Sequence, residues 1–261
     1  MFSDERKQKI IHLLKEKQSL TVTELVDLFH VSESTIRRDL HELEKIHELK
    51  RTHGGAIAAE VSSFEPSLQE KIIHYPSEKK QIARIAVSMI EEGETVILDS
   101  GTTTAEIARQ LPNIDLTIIT NSLQIGQEVS SLPRAKLIFL GGELRPTTGA
   151  MVGPLTESML CEMNADKLFL GANAVSLNRG ISTPNPTEAS TKKAMIASAR
   201  EVILVADHSK LGKRSLTKVC DLANLTHFLT ERTLPEPYHE AFAKHNVHVI
   251  AAESSLPERK E

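Results

Sequence analysis

Short apolar runs alternate with helical stretches from about residue 80 to the end of the chain. The runs are rich in Val, Ile and Leu, and they fall at residues 95–98, 116–120, 136–140, 167–170, 202–206, 226–229 and 247–250. Each run is too short for a helix, whereas the segments between most of them are long enough for one. This alternation is typical of a parallel sheet with crossover helices. The sequence therefore predicts an α/β fold for this part of the chain.

A different pattern comes before about residue 57, where short helices follow one another closely. Residues 58–67 are small and polar with one proline, which suits a connector better than a core element. A chain of 261 residues is long enough for two domains. We therefore predict a small N-terminal domain at 1–57, a linker at 58–76 and a larger α/β domain at 77–261.

The composition excludes several classes of protein. With 40% hydrophobic and 25% charged residues, the chain resembles an ordinary folded protein rather than a fibrous or disordered one. Cys161 and Cys220 are isolated, and the pair His245 and His248 lacks accompanying ligands, so we expect no disulfide, metal site or cofactor. The N-terminus is charged and no run approaches about 20 apolar residues, so we expect a cytoplasmic protein without a membrane span.

Three short helices are predicted in the N-terminal domain. The first spans about 4–17, and a Thr21–Glu24 capping box begins the second. Ser32 is suited to cap the third, whose apolar residues share one face. The opposite face and its flanks carry side chains that donate to phosphates and bases, namely Ser34, Thr35, Arg37, Arg38, His41 and Lys45. This layout is typical of a helix-turn-helix whose recognition helix enters the major groove.

Residues 48–57 read as a strand, a glycine turn and the start of a second strand, which together predict a hairpin wing. The cations Lys50, Arg51 and His53 lie at its base and suit the DNA backbone. The net charge of −4 gives no global reason to expect nucleic acid, so DNA binding depends on this local surface. In the alternative interpretation, this is a helical subdomain whose Arg37 and Arg38 only solvate a surface, since Glu33, Asp39 and Glu42 lie close by in sequence.

The same residues resemble a known family. Residues 31–40 (VSESTIRRDL), then Leu43-Glu44 and residues 51–56 (RTHGGA), are similar to the winged helix-turn-helix of DeoR-family bacterial transcriptional regulators. His47 departs from the pattern, since the family usually has a glycine there. We expect contacts to operator DNA from Ser34, Thr35, Arg37, Arg38, His41, Lys50, Arg51 and His53.

An anion cradle is predicted where the strand at 95–98 meets the next helix. Residues 99–104 (DSGTTT) supply a glycine and four hydroxyl groups at the helix N-terminus. Free N–H groups, the helix dipole and hydroxyls favour a phosphate there without a neighbouring lysine. In the alternative interpretation, Ser100 and the threonines only cap the helix.

Other polar residues follow neighbouring strands. Asn121, the pair Gly141-Gly142 and Asn173 come after three of them, and Lys210 follows the run at 202–206. Since ligands bind at the carboxyl edge of open α/β sheets, we expect these loops to converge on one crevice. Lys210 would neutralise a phosphate or pair with Asp207. Glu188 begins a helix, where it would hold sugar hydroxyls or only favour the helix dipole.

This half of the chain also resembles the DeoR-family sensor domain, through residues 99–104, 120–121, 141–145, 171–173, 188–189 and 207–210. The resemblance implies a fold like that of sugar-phosphate isomerases and a receptor for phosphorylated sugars. Thr230-Glu231 stands where the family commonly has Thr-Asp, and we expect that change to fall in a surface turn. The expected effector-binding residues are Asp99, Ser100, Gly101, Thr102, Thr103, Thr104, Asn121, Gly141, Gly142, Arg145, Asn173, Glu188 and Lys210.

Two functions fit these patterns. The first is a non-enzymatic DNA-binding repressor of a sugar-utilisation operon, whose operator affinity a phosphorylated sugar changes. Palindromic half-sites call for a symmetric oligomer, and the family implies a homodimer or homotetramer. The second is a phosphosugar isomerase with an appended regulatory domain, in which Glu188, Asp207 and Lys210 would serve proton transfer.

Overall fold

The computed structural model describes residues 3–17, 19–46, 48–52, 54–58 and 67–255. The chain divides into two compact units, Met1–Phe64 and Glu65–Glu261. No helix among the described residues is long and apolar enough to cross a membrane. The boundaries proposed above for domains and linker stay predictions.

The first unit consists of three helices and a three-stranded antiparallel sheet of order β1-β3-β2. In chain order its elements are α1 (Ser3–Lys17), β1 (Ser19–Thr21), α2 (Val22–Phe29), α3 (Glu33–Lys45), β2 (Leu49–Thr52) and β3 (Gly55–Ala58). Thr21 and Glu24 form the expected capping box at α2, and Ser32 caps α3 by accepting from the Thr35 N–H at 3.2 Å. A side chain at Gly55 would place its Cβ 2.0 Å from the Leu20 carbonyl, so the wing requires glycine there.

The hydrophobic core of this unit joins all three helices to the wing. Ile10 of α1, Leu25 of α2 and Ile36 of α3 are fully buried, and Leu49 of β2 packs in the same cluster. The buried face of α3 is the one that the spacing of its apolar residues predicts, so its polar face points away from the core.

The second unit is a larger α/β domain. Its helices are α4 (Leu68–Ile73), α5 (Pro76–Ser88), α6 (Thr102–Gln110), α7 (Leu123–Val129), α8 (Pro154–Cys161), α9 (Pro186–Ala197), α10 (Glu236–Lys244) and α11 (Ala252–Ser255). Its strands are β4 (Thr95–Leu98), β5 (Leu116–Thr120), β6 (Ala135–Phe139), β7 (Glu143–Arg145), β8 (Ala150–Val152), β9 (Ala165–Gly171), β10 (Ala174–Ser176), β11 (Gly180–Thr183), β12 (Ala199–Val205), β13 (Thr217–Cys220), β14 (His227–Thr230) and β15 (His248–Ala251).

A seven-stranded sheet of order β15-β14-β12-β9-β4-β5-β6 forms the centre of this unit, and every neighbouring pair in it is parallel. Successive strand residues face opposite sides of the sheet. Leu168 and Leu170 therefore join one hydrophobic cluster, whereas Phe169 joins the other. The predicted α/β architecture, with a winged helix-turn-helix unit before it, is confirmed.

The element bounds differ from the sequence expectations at several points. The helix expected at 105–111 begins three residues earlier, at Thr102, and the strand expected at 202–206 begins at Ala199. Residues 67–76, expected to be linker, contain α4 and the first residue of α5. Ser67 begins α4 through a capping box with Glu70, since each side chain accepts from the other residue's backbone N–H.

Candidate functional site

The exposed face of α3 carries the hydroxyl groups and cations that the sequence places there. Ser34 and Thr35 lie in its first turn, and their hydroxyls lie 2.9 and 2.8 Å from the Ser32 hydroxyl. Arg37, Arg38, His41 and Lys45 are exposed. The exposed face therefore combines short hydroxyls at the helix N-terminus with cations further along, as base and phosphate contacts require.

The two arginines of α3 differ in what they contact. Arg37 donates to the Glu33 carboxylate from Nε at 2.9 Å and from Nη2 at 2.5 Å. Arg38 is exposed and makes no hydrogen bond or ion pair with a residue that the structure describes. A base or phosphate contact from Arg38 stays a prediction.

The carboxylates next to these arginines in sequence bind α1 instead. Asp39 forms a buried ion pair with Arg6 at 2.5 Å, and Glu42 forms an ion pair at the surface with Lys7 at 2.9 Å. The hydrogen bond from Lys7 lowers the pKa of Glu42 below its usual value. Asp39 and Glu42 thus fix α3 against α1. This weakens the alternative interpretation, in which the arginines of α3 only solvate a surface beside these carboxylates.

The wing is described in part. Nη1 of Arg51 lies 3.3 Å from Nδ1 of His41, and the Arg51 backbone N–H donates to Glu44 at 3.0 Å. These contacts hold the first wing strand to α3. The backbone of Lys50 lies in β2, but its side chain is not described, and His47 and His53 lie outside the described residues.

A cavity of about 60 Å³ lies at the carboxyl end of β4 in the second unit. Three loops supply its walls, at the starts of α6 and β10 and after β12, together with parts of α4, α5 and α9. Its lining residues are Lys71, Lys79, Ser100, Gly101, Thr102, Thr103, Thr104, Gly171, Ala172, Asn173, Lys192, Val205, Ala206 and Lys210. Seven of the predicted effector-binding residues are thus brought together: Ser100, Gly101, Thr102, Thr103, Thr104, Asn173 and Lys210.

The N-terminus of α6 opens into this cavity without a side-chain cap. Gly101 occupies the N-cap position, and within the described part of the chain no side chain accepts from the first N–H groups. Thr104 points its hydroxyl back to the Gly101 carbonyl at 3.0 Å. The interpretation in which Ser100 and the threonines only cap the helix is therefore not what the structure shows. The first N–H groups of α6 are left for a ligand or water.

Four lysines line the cavity, and the sequence analysis assigned only Lys210 to it. Lys192 lies four residues after Glu188 in α9, so helical spacing was the signal that would have placed it on the same face. Lys71 and Lys79 come from α4 and α5, and nothing in their local sequence distinguishes them from surface lysines. Lys79 is nevertheless only 6% exposed.

Asp99 lies behind the cavity and does not line it. Its Oδ2 accepts from the Gly171 N–H at 2.9 Å and forms a buried ion pair with the Lys192 ammonium. Burial raises the pKa of the Asp99 carboxyl, although Lys192 opposes that shift. Asp99 therefore fixes Lys192 and the end of β9 through Oδ2, and its buried Oδ1 has no hydrogen-bond partner among the described residues. A direct effector contact from Asp99 stays a prediction.

Glu188 belongs to a buried cluster beside the cavity. Its Oε1 lies 2.5 Å from Nη1 of Arg145 and accepts from the Thr148 hydroxyl at 2.7 Å. Burial favours the neutral acid, but Lys192, Thr148 and Arg145 together hold the pKa of Glu188 below its usual value. Thr183 lies 3.4 Å from the other Glu188 oxygen and 3.1 Å from the Asn173 amide oxygen. Glu188 and Arg145 thus lie outside the cavity lining and support it from one side.

The remaining predicted residues do not line this cavity. Asn121 donates its amide to the Met151 carbonyl at 2.8 Å. The Gly141 carbonyl accepts from Thr156 at 2.7 Å, and a Cβ at Gly142 would lie 2.1 Å from the Thr156 hydroxyl oxygen. Gly142 therefore permits close packing of this loop against α8. An effector contact from Asn121, Gly141 or Gly142 stays a prediction.

The sequence predicts a surface turn at Glu231, but this residue is only 4% exposed. Its carboxylate lies 2.5 Å from Nδ1 of His208 and accepts from the His208 N–H at 3.2 Å. Burial opposes ionisation, but the hydrogen bond with His208 lowers the pKa of Glu231 to about 2. The prediction was wrong because Glu231 is held by His208, which is 23 positions away in the sequence, and no local pattern reveals that contact. Glu231 holds the 3-10 helix His208–Lys210, which carries Lys210 to the cavity.

Comparisons with known proteins cover nearly the whole chain. Residues 6–61 match the DeoR-like helix-turn-helix domain, and residues 75–232 match the DeoR C-terminal sensor domain. The chain is 38% identical over 252 residues to the HTH-type transcriptional regulator GlpR of Haloferax volcanii, covering 96% of this chain and 98% of the relative. It is 36% identical over 234 residues to the lactose phosphotransferase system repressor of Streptococcus mutans, covering 88% and 93%.

Among solved structures, ribose 5-phosphate isomerase A from Methanocaldococcus jannaschii aligns over 52% of this chain and 54% of that chain, with 21% identity and a TM-score of 0.39. The two domain matches come in the order in which the winged helix-turn-helix unit and the α/β unit occur in the structure. The protein is therefore a transcriptional regulator of the DeoR family, with an N-terminal DNA-binding domain and a C-terminal sensor domain.

Proposed function

We propose that this regulator represses a sugar-utilisation operon and that a phosphorylated sugar, bound at the cavity beside α6, changes its affinity for operator DNA. The observation that carries the proposal is the meeting of an uncapped helix N-terminus with four lysines in one cavity. The name of the Streptococcus mutans relative, a repressor of a lactose phosphotransferase system, supports the sugar pathway.

The charge and size of the cavity favour a phosphate group. A phosphate monoester carries nearly two negative charges at neutral pH, and backbone N–H groups, hydroxyls and ammonium groups are its usual partners. A cavity of about 60 Å³ has room for several water molecules, so it can take a small polar group such as a phosphate. The sugar would then extend outwards past Asn173 and Lys210.

In this proposal, effector binding in the cavity and operator binding by the DNA-binding unit affect each other's affinity reciprocally. An effector that weakens operator binding must itself bind less well to the DNA-bound protein. The exposed face of α3, with Arg38 at its centre, is the surface proposed to meet the major groove. A homodimer or homotetramer would present two such helices to palindromic half-sites.

One of the carboxylates that an isomerase would need is already engaged. Glu188 is bound to Arg145 and Thr148, and its lowered pKa makes it a weak base at neutral pH. Asp207 accepts from the Ser209 N–H at 3.0 Å through Oδ1, whereas its buried Oδ2 has no hydrogen-bond partner among the described residues. The contacts of Glu188 favour a receptor without turnover over a phosphosugar isomerase.

Thr103→Glu tests the location of the effector site. The new carboxylate occupies the region proposed for the phosphate, so we expect operator binding to persist while the response to every sugar phosphate is lost. Thr103→Val, which removes only the hydroxyl, should weaken the response. Ser158→Glu adds the same charge on an exposed face of α8 and should leave the response unchanged.

Two results would count against this proposal. A Thr103→Glu protein that still leaves operator DNA when the effector is added would place the effector elsewhere. Isomerisation of a sugar phosphate by the unaltered protein, lost in Glu188→Ala, would favour the enzyme.

A further inference from the structure

A buried lysine connects the effector cavity to the first helix of the second unit. Lys79 lies in the first turn of α5 and lines the cavity. Its ammonium donates to the backbone carbonyls of Lys71 and His74, which end helix α4. One side chain thus lines the cavity and holds the C-terminal end of α4.

Helix α4 buries little apolar surface. It has six residues, none of which is buried, and Ile72 and Ile73 are 40% and 72% exposed. At its start, the Leu68 N–H donates to the Thr147 carbonyl at 3.0 Å. The last carbonyls of a helix lack intrahelical donors. At the end of α4, the Lys79 ammonium donates to these carbonyls. Polar contacts at its two ends therefore hold α4 more than apolar packing does.

The ammonium of Lys79 is poorly matched to this environment. Burial lowers its pKa to about 8, and the charged groups around it are Asp207 and Glu78, which oppose that shift, and Lys210 and Lys71, which add to it. Two neutral carbonyls are weaker partners for an ammonium than a phosphate oxygen is. The ammonium has three N–H donors, and two of them are on the α4 carbonyls. A phosphate that accepts from more than the third donor would therefore compete with α4 for Lys79.

We propose that Lys79 binds the phosphate of the effector and that its departure from the α4 carbonyls is the step that loosens α4. The inference rests on the proposed function, because it assumes a phosphate in this cavity. Since α4 directly follows the segment that leads to the DNA-binding unit, a change in α4 passes to that segment along the chain. Lys79 is then both a ligand contact and the link between effector binding and DNA binding.

Hydrogen–deuterium exchange on the unaltered full chain tests the inference without a variant. The probe is inorganic phosphate, with its binding measured in parallel by calorimetry. We expect phosphate to raise the exchange of amides in residues 68–74 several-fold, while exchange at the first turn of α6 falls. Phosphate that binds and protects α6 but leaves 68–74 unchanged overturns the inference and leaves the proposed function standing. Phosphate that does not bind at all overturns both.

Lys79→Met is the matching variant, because it keeps the buried stem and removes the ammonium. We expect phosphate affinity to fall at least tenfold, exchange in 68–74 to be high with or without phosphate, and the effect of phosphate on operator affinity to be lost. The control is Lys80→Met, whose exposed neighbouring side chain should leave all three properties unchanged. A Lys79→Met protein that binds phosphate like the parent and still responds to it contradicts the inference.

Discussion

Removal of the Lys192 ammonium should destabilise the sensor domain by an amount that the structure sets. The side chains of Asp99 and Lys192 are 1% and 6% exposed, so Lys192→Met leaves a buried carboxylate without its cation. Breaking such a pair typically costs about 3–5 kcal/mol. Because burial already raises the pKa of Asp99, its carboxyl can take up a proton, and we expect about 3 kcal/mol at pH 7. For a domain of this size that is a fall in Tm of roughly 6–12 °C.

The assay is urea and thermal unfolding of three variants beside the parent. Lys193→Met changes the exposed neighbour and should cost little. The double variant Asp99→Asn/Lys192→Met removes both charges and keeps an acceptor for the Gly171 N–H, so it should recover most of the loss. If Lys192→Met costs no more than Lys193→Met, or if the double variant is no more stable than the single one, the pair does not hold this site together.

Two further predictions concern DNA and pH. Arg38→Ala should lower operator affinity about 5- to 150-fold, which corresponds to about 1–3 kcal/mol for one base contact, whereas Arg37→Ala should cost less because Glu33 already binds that side chain. Equal losses in anisotropy titrations would contradict this assignment. The pKa of Glu231 is lowered from 4.5 to about 2, so its stabilisation, at most about 3 kcal/mol, is present above pH 5 and is lost as the pH falls towards 2. Glu231→Gln should therefore lose stability less steeply than the parent over that range, and parallel curves would refute the prediction.

Local sequence patterns were sufficient for most of the fold. The apolar face of α3 and the capping box of Thr21 and Glu24 depend on residues three or four positions apart, so spacing alone reveals them. The alternation of strands and helices predicts a parallel sheet but not the order of its strands. That order depends on which strands the crossover connections bring side by side. The α4 helix was assigned to the linker, although Ser67 and Glu70 carry the same capping signal as Thr21 and Glu24.

The site was harder to predict because its contacts join distant positions. An anion cradle at residues 100–104 could be predicted from the sequence, since strand, glycine and helix N-terminus are adjacent in the chain. The partner of Asp99 is 93 positions away, and the carboxylate of Glu188 is held by a hydroxyl 40 positions away. Lys79 looks like any surface lysine until the fold buries it. Spacing along one helix or strand carries no information on such pairs.

The most direct test of the account is a titration of the unaltered protein on fluorescent DNA from its own promoter, at fixed salt, with a panel of sugar phosphates and the matching free sugars. The account predicts sequence-specific binding that one phosphorylated sugar changes and its unphosphorylated form does not. Specific binding that every sugar phosphate leaves unchanged would contradict the proposed effector site. An equal response to a free sugar would contradict the phosphate cradle.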